Sequence, residues 1–120
     1  MKLVITTTGR TLGAPMDRRF GRAAAFLVYD SEAETYTVIG NDQNIQAAQG
    51  AGIQAAQSVV NSGAQALVTG HCGPKAFRVL SAAGVAIYNC NAETVVQAID
   101  QYKSGQLQPA QSADVEGHWV

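Results

Sequence analysis

Apolar residues fall into short continuous blocks in some parts of this chain and into helical spacing in others. Leu3-Val4-Ile5, flanked by β-favouring threonines, predicts a strand over 2–8. Two further blocks, 25–30 and 35–41, predict strands joined by a hairpin at 30–34. Ile53, Ala56, Val59 and Val60 then recur at helical spacing, with Gly63 as the stop. A short block at 66–69 predicts a buried strand. A helix follows that opens on Pro74, runs to about Ala83 with Phe77 and Leu80 inward, and ends at Gly84. Strand 85–88 comes next. The last helix is capped by Asn91, faces inward with Val95, Val96, Ile99 and Tyr102, and stops at Gly105.

The expected order is βββαβαβα. Strands alternating with helices imply right-handed parallel crossovers, so the expected fold is α/β, a mixed five-stranded sheet with helices on its faces. Residues 106–120 carry Pro109 and no periodicity, and read as a flexible tail behind a domain of 1–105, although Trp119 is oddly apolar for a tail. The long glycine-punctuated loop 9–22 is unusual in so small a domain, and such loops are usually functional. The connection 41–52 is polar and rich in Gln and Ala.

Composition adjusts this picture in two ways. With 47% hydrophobic residues in 120, the chain fills one core, and much of that core is alanine. With a net charge of -1 there is no global field for nucleic acid or membrane. The start of the chain is too short in apolar residues for a signal peptide, and no stretch reaches membrane-spanning length, so a cytoplasmic protein is expected. Two cysteines, Cys72 and Cys90, are too few for a disulfide framework and read as reduced thiols.

The near-neutral sum hides a local asymmetry. Arg10, Arg18, Arg19 and Arg22 lie in the loop after the first strand, and Lys75 and Arg78 follow the Gly70–Pro74 turn. Ligands in parallel α/β sheets bind beyond the carboxyl ends of the strands, which is where both segments should emerge. Amides at the start of the Pro74 helix add a further attraction for anions. Lys75 in that first turn is locally unfavourable unless an anion compensates, though a solvated lysine is the plain alternative. His71 and Cys72 are the only grouped soft ligands. They cannot complete a zinc site, and two thiols cannot hold a protein-ligated iron–sulfur cluster. A preassembled cluster carrying its own sulfide needs only charge, N–H donors and an apolar wall. Cys72 alone is equally well a small buried hydrophobe.

Two other chemistries compete. His71-Cys72-x5-Arg78 fits the pattern of cysteine-dependent phosphatases, in which a thiolate attacks phosphorus and loop amides with the arginine hold the oxygens. Against it, Pro74 removes an amide and starts a helix, and no glycine follows to let the loop arch. A two-metal nuclease would need clustered acids. Asp30, Glu32, Glu34 and Asp42 surround one hairpin and its exit, but a solvated hairpin tip explains them.

Arg19-Phe20-Gly21-Arg22-Ala23 with Phe26-Leu27-Val28-Tyr29-Asp30 resembles the opening of the dinitrogenase iron–molybdenum cofactor biosynthesis family. Gly50-Ala51-Gly52, Gly70-x-x-Gly73-Pro74-x-Ala76-Phe77 and Leu80-x-x-Ala83-Gly84-Val85-x-Ile87-Tyr88 extend the resemblance over about 2–105. It implies a ribonuclease-H-like fold and the binding or carrying of metal–sulfur cofactors without catalysis by the domain. Among family members the chain resembles small stand-alone ones that hold a mixed molybdenum–copper sulfide cluster non-covalently, with other molybdenum- or iron-containing clusters as the alternative. The expected binding residues are Arg10, Arg18, Arg19, Arg22, His71, Cys72, Gly73 and Lys75, with His71 the candidate metal ligand. P-loop ATPases are expected partners by family analogy.

Overall fold

The computed structural model describes residues 1–41 and 51–110. Most of the 41–52 connection, Asp42 and residues 111–120, including His118 and Trp119, lie outside the described residues. In chain order the elements are β1 (Lys2–Thr7), β2 (Ala25–Asp30), β3 (Thr35–Gly40), α1 (Ala51–Asn61), β4 (Ala66–Thr69), α2 (Pro74–Ala82), β5 (Ala86–Asn89) and α3 (Val95–Lys103). The strands form one sheet in the order β3-β2-β1-β4-β5. β1 is antiparallel to β2, and β2 to β3, whereas β1, β4 and β5 run parallel. This is the expected mixed, ribonuclease-H-like sheet.

Its central strands are covered on both sides, which is why β1 and β4 read as unbroken apolar runs rather than alternating ones. Val4, Phe26, Val28, Leu67 and Ile87 face one core with Ala55, Ala56 and Val59 of α1 and Ala76 and Leu80 of α2. Leu3, Ile5, Leu27, Tyr29 and Val68 face a second core with Val95, Ala98 and Ile99 of α3. The alanines let the helices lie close to the sheet. Among the described residues no helix is long and apolar enough to cross a membrane.

Three helix details differ from the expectations. Ile53 and Val96 are exposed, and alanines take the inward positions instead. The cap of α3 is Thr94 rather than Asn91: its side chain accepts from the Gln97 amide, and the Gln97 side chain accepts from the Thr94 amide at 3.4 Å. The helix starts late because the preceding residues are used elsewhere. Met16 N donates to Glu93 O at 2.9 Å, and Pro15 bridges Thr94, so the chain there behaves as a strand. β5 is shifted by one residue, because Val85 N donates to Leu80 O in the turn that ends α2.

After α3 the chain returns along the outer edge of β5. Pro109 forms an antiparallel bridge with Tyr88, and Ala110 N donates to Ile87 O at 2.7 Å. Leu107 and Ala110 pack against the two cores. These are the first residues of the stretch expected as a flexible tail over 106–120.

Candidate functional site

Because β1, β4 and β5 are parallel, their carboxyl ends share one pole of the sheet. The long loop after β1, residues 8–24, folds across that pole and is held by backbone hydrogen bonds. Asp17 N donates to Thr6 O at 2.9 Å, and the Thr6 hydroxyl donates to Asp17 O at 2.5 Å. That hydroxyl also lies 2.9 Å from Thr69 Oγ1 on β4, so a buried Thr6–Thr69 pair ties the loop to two strands.

The next residues of the loop pair with the turn after β4 as a short parallel bridge between Arg19 and His71. His71 N donates to Arg18 O at 2.7 Å, and Phe20 N donates to His71 O at 3.2 Å. Gly70 makes this approach possible: a Cβ there would sit 2.7 Å from the Arg18 carbonyl oxygen and 2.8 Å from its Cα. The turn is steadied from β5, where the Asn89 amide donates to Gly70 O at 3.0 Å. Further on, buried Asn41 donates from Nδ2 to Gly21 O at 3.3 Å and to Ala23 O at 2.8 Å. The other limb of the loop covers α3. Ala14 O accepts from Val95 N at 3.0 Å and Leu12 O from Val96 N at 2.8 Å.

The basic loop therefore lies against the turn that leads to Lys75. Arg10, Arg18, Arg19 and Lys75 are exposed, and Arg22 and His71 are half-buried. Asp17 Oδ1 accepts from Arg19 N at 3.0 Å and rigidifies the loop beside its arginines. The start of α2 lies in the same turn. Its N-cap Gly73 is extended, Pro74 follows, and no side chain caps the helix, in contrast to the capped and loop-covered start of α3. The first amides of any helix lack intrahelical partners and carry the positive end of its dipole. The pole thus offers cationic side chains, backbone donors and the half-buried imidazole of His71.

Cys72 stands apart from the other expected residues. Its side chain is fully buried in the core with Phe20, Ala76 and Leu80, and Sγ lies 3.8 Å from Gly73 O. That geometry does not serve a phosphatase, which needs an accessible thiolate and a closing arginine. Arg78 lies in the second turn of α2, exposed. The acids of the hairpin are at the other pole, beyond the start of β1. Asp30 Oδ1 accepts from Glu32 N at 3.0 Å and Ala33 N at 3.3 Å, and these bonds, Ala33 foremost, hold its carboxyl below the ordinary value. It builds a turn. Among the described residues no three His, Cys, Asp or Glu side chains group to hold a metal.

Thr6, Asn41, Thr69 and Asn89 were not singled out by sequence reasoning. The threonine run and the asparagines closing β3 and β5 were visible signals, but only pairing shows what they fasten.

The family described as dinitrogenase iron-molybdenum cofactor matches residues 1–105. The apo form of the orange protein from Desulfovibrio gigas superposes with a TM-score of 0.92 at 37% identity, covering 95% of this chain and 96% of that one. A Thermotoga protein provisionally described as NifB superposes with a TM-score of 0.84 at 34% identity, covering 97% and 98%. An uncharacterised protein of Methanocaldococcus jannaschii is 26% identical over 92 residues, 74% of this chain and 77% of that protein.

Proposed function

Since the chain belongs to the dinitrogenase iron–molybdenum cofactor family, we propose that its basic pole binds and carries an anionic metal–sulfur cluster as cargo. The observation that supports this reading is the backbone docking of Arg18–Phe20 on His71, in the turn that leads to the uncapped start of α2. Such a surface suits a compact polyanion that brings its own sulfide. Charge and hydrogen-bond donors hold it, and partial burial keeps the attraction from being fully screened. Arg10, Arg18, Arg19, Arg22 and Lys75 supply charge, and the amides near Gly73 supply donors. In this reading His71 ligates a metal or hydrogen-bonds a sulfide. Cys72 acts through packing.

The likeness to the orange protein supports the finer reading, a mixed molybdenum–copper sulfide cluster held non-covalently by a carrier without catalysis of its own. Residues 1–105 form the binding unit in this reading. The buried Cys72 and Cys90, neither in a disulfide, suit a reducing cytoplasm. A P-loop ATPase is the proposed partner for loading or transfer.

The test is reconstitution. Anaerobic addition of tetrathiomolybdate and copper to the purified protein is expected to give a coloured complex that survives desalting at low ionic strength. High salt should release it, and Lys75→Glu should weaken retention by on the order of tenfold, equivalent to about 1.4 kcal/mol. A protein that stays colourless, or binds equally well with Lys75→Glu, overturns the reading.

A further inference from the structure

The two edges of the sheet are treated differently. The outer edge of β5 is covered by residues 107–110, whereas among the described residues nothing pairs with the outer edge of β3. Edge strands are normally blunted by charge, proline or a bulge. β3 reads Thr-Tyr-Thr-Val-Ile-Gly, uncharged throughout and β-favouring up to Gly40.

The hydrogen-bond pattern says which groups this edge presents. Asn41 N donates to Ala24 O, so the pairs Phe26–Ile39, Val28–Thr37 and Asp30–Thr35 bond within the sheet. Tyr36, Val38 and Gly40 therefore turn their N–H and C=O groups outward. Their side-chain positions share the face that carries α3, where Val38 packs on the second core. Tyr36 remains 38% exposed. At Gly40 the Arg10 guanidinium lies alongside, 3.7 Å from where a Cβ would be.

We propose that this edge pairs with a second copy of the chain, antiparallel about a two-fold axis at Val38. Only registers that match outward-facing residues are allowed. Placing Val38 opposite its own copy sets Tyr36 opposite the partner's Gly40, and hence against the partner's Arg10. An aromatic ring then covers a bare glycine and meets a cation, twice per dimer. Charge agrees with this register. The hairpin carrying Glu34 lies beyond one end of β3, with Glu32 there already 3.7 Å from the N-terminal amine, and Arg10 lies at the other end, so antiparallel pairing turns the Glu34 end toward the partner's Arg10. On the opposite sheet face, a 290 Å³ groove lined by Lys2, Val28, Asp30, Thr37, Ile39 and Ser62 runs beside the same strand.

The inference does not depend on cargo and is tested on cargo-free full-length protein. Sedimentation equilibrium is expected to show a concentration-dependent monomer–dimer equilibrium. Val38→Lys, which sets two lysines face to face, should leave a monomer with an unchanged circular dichroism spectrum. Tyr36→Ala and Arg10→Ala should each weaken the dimer, and the double variant no more than either alone. Opposed residues of a bonded antiparallel pair have Cα atoms about 5.5 Å apart, within disulfide reach. Val38→Cys should therefore oxidise to a covalent dimer while Ser31→Cys does not. A protein that is monomeric at the highest attainable concentration and does not cross-link overturns the proposal, as does a dimer that persists in Val38→Lys.

Discussion

Gly70 is where the basic loop is allowed to touch the turn before α2. The Arg18 backbone occupies the space a side chain would need, at distances no Cβ contact tolerates. Gly70→Ala is therefore expected to lift the loop from the turn and destabilise the fold by about 1–3 kcal/mol in chemical denaturation, the usual range for overpacking. Asn41→Ala acts at the other end of the same loop. It leaves the carbonyls of Gly21 and Ala23 without this donor, for a loss of about 1–3 kcal/mol. At this scale the sequence was a partial guide. Residue type suggested His71 and Cys72 as a pair, and the backbone separates them: one half-exposed at the pole, the other sealed in the core. Adjacent residues on an extended turn point opposite ways, and spacing alone does not say which points inward.

Among the elements, strands and helices were legible because their burial is periodic. β2 and the start of α2 fell where apolar blocks and Pro74 placed them. The path of 8–24 was not legible. It is fixed by main-chain bonds to Thr6, His71, Glu93 and the first turn of α3, and main-chain bonds leave little trace in side-chain identity. The contrast between the starts of α2 and α3 gives a test. Thr94→Ala should cost about 1 kcal/mol by urea denaturation, as loss of an N-cap does, and should leave cluster retention unchanged. Equal loss of retention in that variant would mean that the pole senses α3 rather than α2.

Charge among the described residues is unevenly placed: the loop arginines lie at the carboxyl ends of the parallel strands, and the hairpin acids lie at the other pole beside Lys2 and Lys103. The hairpin links folding to pH. The Asp30 carboxyl is held below its ordinary value by the amides of Ala33 and Glu32. Its contribution is thus present above the unfolded carboxylate range and is lost as pH falls through the lower folded value. Urea midpoints of the protein and of Asp30→Asn should differ at neutral pH and converge in acid. A constant gap would show that the turn is held by other bonds.

The return of residues 107–110 along β5 decides what kind of assembly a free β3 edge can make. With one edge sealed, a molecule has a single adhesive side, and growth stops at two. A chain cut after Gly105 would have two such sides on one sheet. Each added copy would then present a fresh edge, and a closed pair would give way to an open-ended ribbon. The short closing segment thus acts as a terminator, and its removal is expected to turn the protein into a filament-former, readable by light scattering.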